Sequence, residues 1–299
     1  MKVLLILIKR NIKIFFNDKG MFLTSLITPL ILLVLYATFL GNVYKDAFIQ
    51  TFPKDIILPE SLINGLVGSQ LMSSILAVSC VTVAFCSNFL MVQDKALGNI
   101  KDITISPVKT TTLSISYYIA SLVSTLLICF VAAGVCLIYI SFVGWYLSFI
   151  DVVLIFVDII LLALFGTALS SIINYFLSTQ GQISAVGTMV SSCYGFLCGA
   201  YMPISQFGAG LQTTLSFLPG TYATSLLREH SLRGAMAELS NKGVPQEAIN
   251  AAKDAVDYNV YFFKTAVPEW CKILILVITI IVLLTVYILI NKLKKSKNN

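Results

Sequence analysis

The sequence offers few side chains that could catalyse a reaction or hold a metal. It contains one histidine, His230, and none of the patterns HExxH, GxSxG or GxxxxGK[ST], which are typical of zinc hydrolases, serine hydrolases and P-loop nucleotide sites. A P-loop nucleotide site within this chain is thereby excluded, and we predict that His230 is a surface residue rather than a catalyst. We expect no enzymatic activity, no metal site and no cofactor in this chain.

Two carboxylates within one apolar stretch are the next candidates for chemistry. Asp151 and Asp158 are seven residues apart, so they would share one face of a helix. Ionisable groups in a membrane span usually face a cavity or a partner, because exposing them to hydrocarbon is costly. We expect Asp151 to be solvated at the end of the span. For Asp158 we favour a hydrogen bond to a neighbouring helix, with a proton path or contact to a cationic drug as the alternative.

The seven cysteines lie in or at the edges of apolar stretches, and no CxxC pair occurs among them. Such pairs would be typical of a metal site or a redox motif. We predict that the cysteines act as small apolar residues in helix packing.

The composition determines which elements must position these side chains. The chain has 299 residues, of which 58% are hydrophobic and 11% are charged. A helix that crosses a bilayer needs about 20 mainly apolar residues, and the qualifying stretches are too long for the strands of a membrane barrel. The fold class is therefore predicted to be an all-α integral membrane protein with one domain and six transmembrane helices. The predicted spans are 21–40, 62–92, 114–140, 152–176, 183–202 and 270–290.

Basic residues indicate the orientation, because connections rich in Lys and Arg stay in the cytoplasm. Twelve Lys and Arg residues lie on one side of the predicted membrane and two lie in the short loops on the other side. Both termini are therefore predicted to be cytoplasmic. Attraction to anionic lipid accounts for the net charge of +6, so no nucleic-acid partner is expected. The cytoplasmic segments are 1–20, 93–113, 177–181 and 291–299, and the short outer loops are 41–61 and 141–149.

Three segments outside the spans complete the organisation. Residues 1–20 are predicted to form an interfacial helix, because lysines and apolar residues fall on different faces. Residues 291–299 form a basic cytoplasmic tail. The segment 203–269 is too polar to span, and we expect extracellular helices at about 204–218, 221–239 and 245–256.

Small residues recur on one face of two predicted spans. Such faces let helix backbones approach closely. Internal helix packing is the favoured interpretation, and a transport pathway or a dimer interface is the alternative. In the fifth span these residues are Gly187, Ser191, Gly195 and Gly199, and in the second they are Ser69, Ser73, Cys80, Ala84 and Ser87.

A short polar segment, 93–110, separates the second and third spans. Asp94 could cap a helix that begins at Lys95, and Pro107 would end it after Ser106. This would be a short amphipathic helix on the cytoplasmic side, and an ordinary solvated loop is the alternative. The apolar face would consist of Ala96, Leu97, Ile100 and Ile103.

With this segment the sequence resembles the type-2 ABC exporter permeases, the membrane subunits of drug, lipid-linked glycan and peptide exporters. In that family the loop after the second span carries a charged residue, a glycine, a short amphipathic helix and then Ser-Pro. The matching residues here are Lys95, Gly98, Lys101, Asp102, Ser106, Pro107 and Val108. The similarity covers nearly the whole chain, and its further matches are Asn17, Asp18, Pro29, Gly199, Pro203, the run 219–222 and Arg228.

The resemblance implies that the segment is a coupling helix, which docks on a separate ATPase subunit. The working unit would contain two permeases, either a homodimer or a pair with a close paralogue, and two ATPases that bind ATP and Mg. Substrate would pass between the second and fifth spans, along the small-residue faces. The coupling residues would be Lys95, Leu97, Gly98, Ile100, Lys101, Asp102, Ser106 and Pro107.

The function implied is ATP-driven export, of the multidrug-resistance kind, of a hydrophobic or amphipathic drug, antimicrobial peptide or lipid. The abundance of Lys, Ile and Asn is typical of proteins from a bacterium with an AT-rich genome. We therefore expect the chain to lie in the cell membrane of such a bacterium. The alternatives are a teichoic-acid or polysaccharide exporter and a non-transporting membrane scaffold or sensor. A membrane-embedded enzyme would need a cluster of acidic or histidine residues at one leaflet, and we expect no such cluster.

Overall fold

The computed structural model describes residues 2–52, 58–105, 108–263 and 265–297. Within these ranges the chain is almost entirely helical, with one two-stranded antiparallel hairpin. The helices are α1 Lys2–Asn17, α2 Lys19–Leu35, α3 Gly41–Thr51, α4 Glu60–Ala96, α5 Asn99–Ile105, α6 Thr110–Val143, α7 Phe149–Phe176, α8 Gln180–Leu197, α9 Ala209–Leu215, α10 Pro219–Asn241, α11 Gln246–Ala255 and α12 Glu269–Lys297. The hairpin strands are β1 Tyr261–Phe262 and β2 Thr265–Ala266.

Five helices among the described residues are long and apolar enough to cross a membrane. The predicted all-α membrane fold is thereby confirmed. The predicted fifth span corresponds to α8, which has 18 residues and is therefore about 27 Å long, slightly less than a typical hydrocarbon core. Because α8 is not among the five, the count of six spans stays a prediction. The five spans are Lys19–Thr51, Glu60–Ala96, Thr110–Val143, Phe149–Phe176 and Glu269–Lys292.

The first span is longer than predicted, because the segment placed in a short loop after residue 40 is helical. A π-helical turn, Tyr36–Leu40, joins α2 to α3 without a break. A Cβ on Gly41 would lie 2.8 Å from the carbonyl oxygen of Tyr36, so glycine is what allows this tight junction. The rings of Tyr36 and Tyr44 stack with centroids 5.5 Å apart, which supports the helix beyond the turn.

Helix α4 is the centre of the bundle, and it packs against α2, α6, α7, α8 and α10. Its most apolar stretch is entirely buried. At Gly166 of α7 a Cβ would lie 3.1 Å from the carbonyl oxygen of Cys80, so the two helix backbones approach closely there. In contrast, only 22% and 17% of the most apolar stretches of α6 and α12 are buried, as expected of helices that face lipid.

Both described chain ends lie at one face of the bundle, which we call the terminal face. Arg10 of α1 pairs with Asp94 at the end of α4, and Ser114 of α6 donates to Asn291 of α12 at 2.7 Å. The opposite face, which carries residues 198–268, is called the excursion face. Its main helix, α10, packs against α4, α7 and α12 and is largely buried, so the excursion belongs to the bundle. The predicted helix at 204–218 is reduced to a 3-10 turn, Ile204–Gln206, followed by α9.

Candidate functional site

The polar segment after α4 forms a short helix, but the helix begins later than predicted. Helix α4 continues to Ala96, and α5 begins at Asn99 rather than at Lys95. Gly98 separates the two helices with φ of +82°, a left-handed conformation that favours glycine. Of the predicted coupling residues, Ser106 and Pro107 lie outside the described residues, and Lys101 and Asp102 belong to α5.

Asp94 does not cap this helix, because its carboxylate is drawn into the bundle. It is 3% exposed and accepts hydrogen bonds from Arg10 at 2.8 Å, from the hydroxyl of Tyr117 at 2.5 Å and from Asn99 at 2.9 Å. These partners belong to α1, α6 and α5. The hydrogen bond to Asp94 raises the pKa of Arg10, although burial works in the opposite direction. Asp94 therefore fixes the start of α5 to three other helices.

The side chain of Lys95 also forms hydrogen bonds within the protein. Its ammonium group donates to the carbonyl oxygens of Asn174, Tyr175 and Leu177 at 3.0, 2.7 and 3.2 Å. These carbonyls lie at the end of α7, where the last carbonyls of a helix lack their usual i+4 partners, and a cation there also complements the helix dipole. Lys95 therefore ties the end of α4 to the end of α7.

The predicted apolar face of the segment is divided between the bundle and the surface. Ile100 and Ile103 are half-buried and pack against the hydrophobic core. Leu97 is 69% exposed and Ile105 is 86% exposed. The surface that a partner could contact is therefore formed mainly by Leu97 and Ile105, with Ile100 only partly accessible.

A second candidate site is a groove between α2 and α8, and α4 forms the floor of its part nearer the terminal face. It consists of two cavities of about 550 and 710 Å³ that share Ile27, Ser191 and Ser192. The cavity nearer the terminal face is also lined by Asp18, Thr24, Gln93, Ser184 and Thr188. The cavity nearer the excursion face is mainly apolar, and its lining includes Ile31, Leu35, Phe39, Phe196 and Met202.

The small residues of the predicted fifth span divide into two groups. Gly187 and Ser191 line the groove. Gly195 packs against the ring of Tyr201, where a Cβ would clash, and Gly199 makes a left-handed turn with φ of +73° after α8. These two glycines shape the end of α8.

The small residues of the second span face the interior of the chain. Ser69, Ser73 and Ser87 are all buried. Ser73 donates to the carbonyl oxygen of Gln70 at 2.8 Å, and the hydroxyl of Ser87 lies 2.5 Å from that of Ser121 on α6. These contacts agree with the internal-packing interpretation, and the structure does not bring these serines into the groove.

A buried charged network joins α7, α10 and α12. His230 is 1% exposed, so its prediction as a surface residue is wrong. Its Nδ1 lies 2.5 Å from Asp158, which agrees with the favoured interpretation of Asp158, and its Nε2 lies 3.0 Å from Glu269. Burial lowers the pKa of His230, but the neighbouring carboxylates raise it more, and the net result is a raised pKa.

Asp151 is also buried, contrary to the prediction that it is solvated. Its carboxylate accepts from the Ser148 hydroxyl at 2.7 Å and lies 3.7 Å from Arg233, which also binds Glu269 at 3.0 Å. Two sequence features could have predicted this network. The first is the seven-residue spacing of Asp151 and Asp158, which was noted in the sequence. The second is the basic pair His230 and Arg233, three residues apart on α10, whose partners were not predicted.

A second buried ion pair holds the turn after α8. Arg228 donates to the carbonyl oxygen of Gly199 and to Asp257. Asp257 in turn accepts from the backbone of Ile204 at 2.5 Å and of Ser205 at 3.1 Å. Gly199 and Arg228, which carried part of the resemblance, are thus in direct contact.

This fold, a bundle of membrane-crossing helices with a short helix held at the end of its longest span, defines a polytopic membrane subunit without a nucleotide-binding motif. Residues 2–230 match the ABC-2 type transporter family, and the chain belongs to that family. It is therefore a permease subunit of an ABC transporter, and membership implies an ABC ATPase partner. Searches of curated proteins and of solved structures give no significant match.

Proposed function

We propose that this permease exports a hydrophobic or amphipathic substrate, such as a drug, an antimicrobial peptide or a lipid, across a bacterial cell membrane. Two copies of the chain would work with two ATPase subunits, which bind ATP and Mg. The termini and α5 would lie in the cytoplasm, as the basic residues of the terminal face indicate.

The groove between α2 and α8 carries this proposal. Helix α8 exposes Ser184, Thr188 and Ser192, which recur every four residues and so form a polar stripe on one face. Polar groups at membrane depth are normally turned towards a partner or a water-filled cavity rather than towards lipid. The opposite wall, formed by α2, is apolar. A groove with one polar and one apolar wall suits an amphipathic molecule.

Helix α5 supplies a surface for the ATPase. Exposed apolar side chains such as Leu97 and Ile105 mark an interaction site when they lie outside the membrane. The adjoining residues Asp94 and Lys95 are held by α1, α6 and α7. A displacement of α5 by the ATPase would therefore be transmitted to the spans that enclose α4.

The test fills the groove and measures transport. Ser192→Trp places a large ring where the two cavities meet, and Ile278→Trp, on the exposed face of α12, is the matched control. Both variants are reconstituted with the ATPase, and uptake of a cationic amphipathic dye into inverted vesicles is followed. We expect Ser192→Trp to lose most dye transport and dye-stimulated ATP hydrolysis while its basal ATP hydrolysis is kept. Equal transport by both variants would remove the groove from the pathway.

The same reconstituted vesicles distinguish the proposed function from the alternative functions. Stimulation by a lipid-linked glycan but not by the dye would favour the teichoic-acid or polysaccharide exporter. ATP hydrolysis that responds to neither, with no movement of either compound, would favour a scaffold or sensor.

A further inference from the structure

Three aromatic side chains form an exposed cluster on the excursion face, which we call the aromatic wedge. Phe217 lies between α9 and α10, and Phe262 and Phe263 lie at the end of β1. Their ring centroids are 5.2, 6.3 and 4.9 Å apart in edge-to-face geometry, the arrangement that aromatic rings prefer. Yet Phe217 is 61% exposed and Phe263 is 67% exposed. A contiguous aromatic surface of this kind is unfavourable in water and indicates a contact outside the chain.

The backbone of the wedge is strained. Phe263 has φ of +56°, a left-handed conformation that is a genuine outlier for a bulky residue. Such strain persists where the surrounding structure imposes it and is typical of functional segments. Here the hairpin is anchored on α11, since Tyr261 donates to Asp254 at 3.0 Å. The hairpin therefore holds two aromatic side chains outward at a conformational cost.

Helices α10 and α12 indicate the depth of the wedge in the membrane. Arg233 and His230 bind Glu269, whereas Glu229 and Ser225 bind Lys272. Lower numbers on α10 thus pair with higher numbers on α12, so the two helices are antiparallel. Since α12 enters the membrane from Glu269 towards the terminal face, the start of α10 points into the membrane.

Phe217 lies beyond that start. From Ser225 back to Pro219, α10 covers about 9 Å, and Phe217 precedes Pro219 by two residues. Phe217 is therefore deeper than Lys272, which is already three residues inside the candidate span that begins at Glu269. Because Phe262 and Phe263 pack on Phe217, the hairpin reaches the same depth.

We propose that the aromatic wedge inserts into the hydrocarbon of the leaflet at the excursion face and that its partner is the acyl chains of membrane lipid. The exposed apolar surface of α12, which follows the hairpin directly and includes Trp270 and Leu274, continues the same lipid contact. The wedge thereby holds the excursion in the membrane next to α12. This inference does not depend on the transported substrate or on the direction of transport.

A tryptophan reporter tests the proposal. Trp145 and Trp270 are the two tryptophans of the chain, and both are replaced by Phe to remove background emission. Phe262→Trp is introduced into this background as the reporter, and Asn250→Trp, on the exposed surface of α11, is the reference. The full-length protein is reconstituted in vesicles of phosphatidylcholine with or without bromine on the acyl chains, and iodide is the aqueous quencher.

We expect the Phe262→Trp reporter to lose most of its emission in brominated lipid and to resist iodide, and the Asn250→Trp reference to behave in the opposite way. Quenching of the wedge reporter by iodide alone would overturn the proposal, because the wedge would then be in water. Resistance to both quenchers would also overturn it, because protein, such as a second copy of the chain, would cover the wedge. Phe217→Trp reports on the same contact if the hairpin variant does not fold.

Discussion

The guanidinium of Arg10 lies 2.8 Å from the carboxylate of Asp94, so the first helix of the chain is bonded to the end of its longest span. The pair is separated by 84 residues. It holds α1 against the bundle at the point where α5 begins. A helix that is predicted to lie on the membrane surface and a helix that is proposed to bind an ATPase are thereby joined into one unit.

Removing Arg10 should destabilise this unit. In Arg10→Met the buried carboxylate of Asp94 loses its counter-charge, and we expect the free energy of unfolding to fall by about 1–3 kcal/mol, the usual cost of an unsatisfied buried group. Lys13→Met, on an exposed position of the same helix, is the control and should change stability by less than about 0.5 kcal/mol. Thermal unfolding in detergent measures both. An equal effect of the two substitutions would contradict a structural role of the pair.

The exposed side chains at the two ends of the segment 97–105, Leu97 just before α5 and Ile105 at its end, should control association with the ATPase. We expect the double variant Leu97→Asp and Ile105→Asp to lose co-purification of the ATPase while its thermal unfolding stays unchanged, because both side chains are on the surface. Leu97→Met with Ile105→Met keeps the apolar surface and should retain the partner. Full co-purification with the Asp variant would argue against docking at α5.

Ile100→Asp should behave differently from those two substitutions. Ile100 is half-buried and packs against the core, and a carboxylate placed there would lose part of its hydration without gaining a partner. We expect a lower unfolding midpoint of the permease itself, measured without the ATPase. An unchanged midpoint would show that Ile100 faces solvent or a partner instead.

Gly98 should be sensitive to any side chain. Its φ of +82° is costly for other residues, even though no atom lies within 4 Å of the Cβ position. Gly98→Ala should therefore cost roughly 1–2 kcal/mol of stability through backbone strain alone. Gly134→Ala is the matched control, because Gly134 also has free space but lies within helix α6, and it should be neutral or stabilising. Denaturant titration in detergent compares the two.

His230 should make stability depend on pH. Its pKa is raised above its ordinary value by the carboxylates, so protonated His230 stabilises the fold at pH below about 6.5. This contribution is lost as pH rises through the folded-state pKa. The unfolding midpoint should therefore fall from pH 6 to pH 9 more steeply in the native protein than in His230→Gln, and equal slopes would contradict the assignment. The charged groups around His230 are Asp151, Asp158, Glu229, Arg233, Glu269 and Lys272.

The class of fold and the family could be predicted, because they depend on local properties. Long apolar stretches dictate membrane helices wherever they fold, and the segment after the second span carries local signals for a short helix, such as Pro107 after Ser106. The break at Gly98 was not predicted. The prediction was less accurate about individual side chains. Asp94 was expected to cap a helix, but its carboxylate instead binds Arg10 and Tyr117, which are distant in the chain. The hydrogen bonds of Lys95 to the end of α7 were not predicted, and its contact with the ATPase stays a prediction.

Helix ends predicted from hydrophobicity alone also differ from those in the structure. The segment 41–51 contains Lys45 and Asp46 and looks like a loop, yet it is helical because Tyr44 and Phe48 are buried. Helix α8, which was predicted as the fifth span, is not among the five candidate spans, and its exposed face carries Ser184, Thr188 and Ser192.

By itself, the sequence determined that this protein is embedded in a bilayer, that it is helical and that it carries no P-loop. Each of these properties follows from composition or from residues close together in the chain. Only the tertiary structure decided that His230 is buried between Asp158 and Glu269, that Asp94 joins four helices and that α2 and α8 enclose a groove. These relationships join residues that are distant in the chain: His230 is 72 positions from Asp158, and Arg10 is 84 positions from Asp94. The energy of a buried charge depends on the neighbour that folding brings to it, and no local pattern records that neighbour.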